Sequence, residues 1–202
     1  MSIFKKLINY YVGRVFFNEM VFICTTRFNT ETLQQNCAWR RRHQKLDECV
    51  YGSPIPVKHA VRGSAWMIVL EMQNDANKLA GIGLVKNSPN LPGVPISHNG
   101  KDKGGGSGLK PSVYNCGNYN RFIYQGAYRI DLLSNDDDDI KLTQEEQLVI
   151  KMLELALFYG ANHSKRGKGI CELPKHVASL YDFKECLKQL VQRFIKIKKG
   201  LS

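Results

Sequence analysis

Ala65–Asn87 reads AWMIVLEMQNDANKLAGIGLVKN, two apolar runs on either side of a polar centre. Trp66–Met72 is bulky and β-prone, Asn74, Asp75, Ala76 and Asn77 are turn formers, and Leu79–Val85 resumes the apolar pattern with two glycines. The stretch predicts a β-hairpin. Around it, Trp39-Arg40-Arg41-Arg42, Cys49–Pro54 and Asn120-Arg121-Phe122 place aromatic rings and cations beside a sheet.

Upstream, Val21–Thr26 reads as an opening strand, and Asn29–Gln44 reads as a helix capped by Asn29 or Thr30 with Glu31 in its first turn. Cys49-Val50-Tyr51 then runs into Gly52-Ser53-Pro54-Ile55-Pro56, where two prolines rule out a helix. Downstream, residues 87–112 hold four prolines and the tract Lys101–Gly108, a composition that predicts a mobile loop. Strand material returns at Val113-Tyr114 and at Tyr119–Ile130, where Ile123 and Tyr124 would neighbour Tyr128 and Ile130 across Gln125-Gly126.

Asp136–Asp139 marks a boundary and reads as solvated charge rather than a metal site. Beyond it, Thr143 and Glu146 form a capping box for an apolar-faced helix that runs to Gly160. A second helix starts near Asp182 and carries Leu187, Leu190, Val191, Phe194 and Ile195 on one side. The chain thus divides into an N-terminal basic and apolar extension (1–19), a β-rich part (20–134) and a helical part (140–199) packed on the same core. The fold class expected is α+β, a small, mostly antiparallel, barrel-like sheet with two C-terminal amphipathic helices.

The 202 residues carry 29 Lys+Arg against 18 Asp+Glu, a net charge of +11 and a pI near 9.4. Such an excess favours a polyanionic partner, nucleic acid before an anionic membrane. Residues 1–17 mix Lys5, Lys6 and Arg14 with large apolar side chains, which allows membrane contact but gives neither a signal peptide nor a spanning segment. Met20, directly before the opening strand, is an alternative start. Six scattered cysteines, with no pair at two-residue spacing, read as free thiols in the reducing interior of a cell and give no zinc motif.

Two groups of residues could carry binding. Trp39 and Tyr51 are expected to be exposed for base stacking, with Arg40, Arg41, Arg42, Asn120 and Arg121 on phosphates or bases, whereas Trp66, Tyr124 and Tyr128 are expected in the core. His163-Ser164-Lys165-Arg166-Gly167-Lys168-Gly169 joins three cations and a histidine to two glycines that free backbone N–H groups, so it is expected to hold a phosphate. It lacks the Ser or Thr after lysine that a nucleotide-hydrolysing loop needs. No histidine, serine or cysteine stands in a catalytic pattern, and no cofactor is expected. Glu71 and His163 are unlinked candidates for an acid and a base.

Taken as a set, Asn36–Arg40, Cys49–Pro54, Leu70–Asn74, Asn77–Val85, Asn118–Arg121 and His163–Gly169 resemble an uncharacterised protein family of large nucleocytoplasmic DNA viruses. The likeness spans roughly residues 20–196 and implies a protein at work in the cytoplasm or nucleus of an infected cell or packaged in virions, with no established activity. The order of strand, Trp-bearing helix, proline turn and hairpin is more remotely similar to PUA-like domains of the EVE and ASCH type, which implies RNA or modified-base recognition. Three functions follow as expectations: a non-enzymatic nucleic-acid-binding protein first, a virion structural or scaffold component with capsid or core proteins as partners second, and a nucleic-acid-modifying enzyme third.

Overall fold

The computed structural model describes residues 21–57, 65–89, 121–133, 141–179 and 183–200. The N-terminal extension, most of the 87–112 loop, Val113-Tyr114, Asn120, Asp136–Asp139 and the Asp182 cap lie outside them.

The expected hairpin is the centre of the molecule. β3 (Trp66–Gln73) and β4 (Lys78–Lys86) pair antiparallel from Trp66↔Lys86 to Gln73↔Lys78, with Ala80 as the extra residue of a bulge and Asn77 at φ +54° in the turn. β1 (Val21–Phe28) lies parallel to β3, from Val21↔Trp66 to Phe28↔Gln73. The parallel pairing follows from the crossover between them, α1 (Thr30–Arg42) and β2 (Cys49–Ser53), which returns the chain to the starting end. The five-stranded sheet is therefore mixed, in the order β6-β4-β3-β1-β7.

β5 (Phe122–Gly126) and β6 (Tyr128–Asp131) do not neighbour each other as the sequence suggested. β5 pairs with β2 as a two-stranded ribbon, and β6 pairs with β4 in the main sheet. The chain changes sheets at Gly126, where a Cβ would come within 1.8 Å of the Leu84 carbonyl oxygen, so glycine is what lets the crossing run that close.

Helix α2 (Gln144–Phe158) has the predicted capping box: Glu146 N–H donates to Thr143 Oγ1 at 3.2 Å, and Thr143 N–H donates to Glu146 Oε2 at 2.7 Å. After it come two elements the sequence did not reveal, β7 (Cys171–Glu172) and α3 (Lys175–Ala178), before α4 (Phe183–Lys198). The sheet separates two cores. Ile68, Leu70, Ile82 and Leu84 face α2 and α4, while Met67, Val69 and Val85 face the ribbon. Outside the ribbon, Trp39 of α1 closes on Val50 and Ile123. The described strands form a sheet and an overlying ribbon, with no closed barrel among the described residues.

Candidate nucleic-acid interface

Trp39 and Tyr51 are 2% and 1% exposed, so neither forms the stacking surface expected of them. Trp39 is wedged between α1 and the ribbon, with His43 stacked on its ring at 4.2 Å. Tyr51 points the other way, into the gap between ribbon and sheet, and donates its hydroxyl to Glu71 Oε1 at 2.8 Å. Arg40 is equally withdrawn, because its guanidinium donates to Asn36 Oδ1 at 3.0 Å and to the Leu46 carbonyl at 3.1 Å. Arg41 and Arg42 are exposed. Arg121 is exposed too, but at the far end of the ribbon, beside the Ser53↔Phe122 pair rather than the Cys49↔Gly126 pair.

Glu71, the candidate base, is fully buried and held by Arg129 as well as Tyr51. Burial pushes the Tyr51 phenol well above its ordinary range, and it pushes the adjacent Cys49 thiol up to about 12. For Arg129, burial opposes the charge, but Glu71 and Asp131 outweigh it and keep the guanidinium firmly protonated. These groups satisfy one another beneath the ribbon. They make a structural joint between ribbon and sheet.

Of the aromatics expected in the core, Tyr124 is fully buried, whereas Trp66 and Tyr128 pack against the core but are only half-buried, at one end of the sheet. Trp66 pairs across the strands with Lys86, whose Nζ lies over the indole 4.9 Å from its centroid. On the other side of β4, Tyr128 pairs with Leu84, one pleat from Lys86 on the same face, and Lys199 Nζ lies 6.0 Å over its ring. Lys198, at the end of α4, reaches Asp47 at 2.9 Å, in the loop that follows Arg41 and Arg42. Such an exposed pair contributes little energy, but it brings the two cationic stretches of the sequence together. Trp66, Tyr128, Lys86, Lys198 and Lys199 thus share one end of the molecule with the exit of α1.

The loop His163–Gly169 lies at the opposite end, where β1 and β3 finish. Arg27 Nε donates to the Ser164 carbonyl at 2.6 Å, and Asn74 Nδ2 donates to the Lys165 carbonyl at 3.0 Å. Ser164 and Ile170 are buried and anchor the two ends, while Arg166, Gly167 and Lys168 are exposed; His163, Lys165 and Gly169 are partly so. Among the described residues none of the three cations forms an ion pair. Asp75, which faces Lys165, has a carboxyl held below its ordinary range, first by the hydroxyl and then by the backbone N–H of Thr30, each at 2.7 Å.

Arg27 is the partner that sequence inspection missed, since one arginine in a strand carries no signal of the loop that will cover it. The hairpin register carried past the turn would have set Trp66 opposite Val85; the bulge at Ala80 is what places it opposite Lys86. No protein-family model, curated protein or solved structure matches the chain. Among the described residues no helix is long and apolar enough to cross a membrane, and no group of three His, Cys, Asp or Glu is placed to hold a metal ion.

Proposed function

We propose that the protein binds nucleic acid, with the end of the sheet around Trp66, Lys86, Tyr128 and Lys199 as its contact surface. The observation that carries this is the placement of lysine ammonium groups over two half-buried aromatic rings on the strands that flank β4. An ammonium over an exposed ring gains about 0.5–1 kcal/mol, whereas a base stacked on an aromatic gains about 1–3 kcal/mol. A base therefore displaces the ammonium with a net gain, and the freed cation meets the adjoining phosphate. Arg41, Arg42, Lys196 and Lys198 extend the positive surface for the backbone that follows.

Binding rather than catalysis is the role proposed, because Glu71 is engaged by Arg129 and Tyr51 beneath the ribbon. The barrel-like description of the β-rich part belongs to the same proposal; its support is the ribbon folded over β4 where Gly126 meets Leu84. The motif resemblance adds the setting of a virus-infected cell.

Titrating labelled single-stranded and duplex DNA and RNA at two salt concentrations tests the proposal. Affinity should fall steeply with salt, and replacing Trp66 and Tyr128 by Ala in a folded protein should weaken single-strand binding at both concentrations. No binding at low salt defeats it.

A further inference from the structure

The loop at the other end of the sheet is held in a fixed shape by the residues beneath it. Gly167 lies flat on the Arg27 guanidinium, where a Cβ would stand 2.8 Å from Cζ, and Gly169, at φ +64°, lies on Ser53, where a Cβ would stand 2.0 Å from Oγ. Close approach requires glycine at 169, whereas at 167 it is the φ of +156° that disfavours a side chain. The carbonyls of Ser164 and Lys165 are turned onto Arg27 and Asn74, and that of Lys168 accepts from the Cys171 thiol at 3.6 Å. A trans peptide directs its N–H opposite to its C=O, and the described chain contains no cis bond. The N–H groups of Lys165, Arg166 and Gly169 therefore point away from the donors that hold these carbonyls. Among the described residues no acceptor meets any N–H from Lys165 to Gly169. Arg27 Nη1 and His163 Nδ1 are also buried without a partner.

Unpartnered N–H groups and the exposed side chains of Arg166 and Lys168 occur together on one loop, whose shape is fixed from below by the buried Arg27 guanidinium. We propose that Lys165–Gly169 binds a single phosphate group, with the backbone N–H groups and Arg166 and Lys168 as donors and Arg27 as the charge beneath. The Asp75 carboxylate near Lys165 offsets part of its charge, although the two form no ion pair. The source of the phosphate, a nucleic-acid strand, rests on the function proposed above. The site itself does not, since β3 sets it roughly 23 Å from Trp66, seven residues at about 3.3 Å each.

Orthophosphate titrated into the full-length ¹⁵N-labelled protein, with ionic strength held constant by chloride, should shift the amide signals of residues 165–169 saturably. The variant carrying Lys165→Gln, Arg166→Gln and Lys168→Gln, substitutions on a loop surface that leave both anchors in place, should lose the shifts and keep a folded spectrum. Amides that do not move, or that move equally with chloride, overturn the proposal. Oligonucleotides with and without a 5′-phosphate then separate the sources: a larger shift with the 5′-phosphate assigns a strand end, equal shifts assign internal phosphates, and either supports the site. Because Trp66 and Tyr128 are untouched in this variant, its result is independent of theirs.

Discussion

Arg129 on β6 reaches Glu71 on β3 across the intervening strand, with Nη2 2.8 Å from Oε2 and Nε 3.0 Å from Oε1. Gly81 of β4 lies between them, and a Cβ there would stand 2.7 Å from both charged groups. The absent side chain is what lets a guanidinium cross a strand inside the protein. Tyr51 then ties the ribbon to this pair. Removing Arg129 alone should cost about 3–5 kcal/mol, because it strands a buried carboxylate, whereas replacing both partners by Leu and Met should cost much less. Tyr51→Phe should cost about 1 kcal/mol. Urea melts of the single and double variants give these values directly.

Trp39 and Trp66 should behave as opposites. Trp39→Ala empties the wedge between α1 and the ribbon and should cost about 3–5 kcal/mol. Trp66→Ala removes a half-exposed ring and should cost distinctly less, while reducing affinity for single strands. Denaturation midpoints and binding isotherms measured on the same two variants check the contrast. Equal stability losses would mean that Trp66 is a core residue and not a stacking platform.

Why Trp39 reads as exposed in the sequence but is buried in the fold is visible in α1. Its buried side holds Leu33, Asn36, Trp39 and Arg40, a mixture in which two polar residues mask the apolar stripe that would mark a packed face. Asn36 is satisfied by the Val50 carbonyl at 2.8 Å, a partner that exists only once β2 has folded back, and Arg40 by Asn36 and by the loop after the helix, whose conformation the helical pattern does not announce. The hairpin and the α2 capping box depend on neighbours in sequence, and both were legible. The ribbon depends on pairing Cys49–Ser53 with residues some seventy positions later, as in Ser53↔Phe122. Local patterns carry no such register. The His163–Gly169 loop falls between these cases: its glycines and cations were legible, but Arg27 and Asn74, which turn its carbonyls inward, were not.

Two buried thiols make stability depend on alkaline pH. Burial is the main cause that lifts both Cys24 and Cys49 from an ordinary 9.0 to about 12. A group whose pKa is higher in the folded state keeps its proton there while the unfolded chain loses it. The stabilisation is complete below pH 9.0 and is lost between 9.0 and about 12. The limiting slope is about 1.4 kcal/mol per pH unit for each thiol. Urea midpoints measured across this window should fall, and Cys24→Ala with Cys49→Ala should flatten the fall even though both changes lower the stability at neutral pH.

Gly160 and Gly169 separate backbone strain from steric contact. Both have positive φ, +81° and +64°, but a Cβ at Gly160 meets nothing within 4 Å, whereas one at Gly169 meets Ser53 Oγ at 2.0 Å and Ser53 Cβ at 2.7 Å. Gly160 follows α2 and its Tyr159 cap, so Gly160→Ala carries only the left-handed penalty of about 1–2 kcal/mol. Gly169→Ala carries the same penalty and must also push the loop off β2. It should therefore cost more than Gly160→Ala and should abolish the phosphate-dependent shifts of residues 165–169, which Gly160→Ala leaves in place. Adding Ser53→Gly removes the atoms in the way and should restore part of both losses. If Gly169→Ala and Gly160→Ala prove equally mild, the loop is not seated on Ser53, and the inward turn of its carbonyls would have no footing on that side.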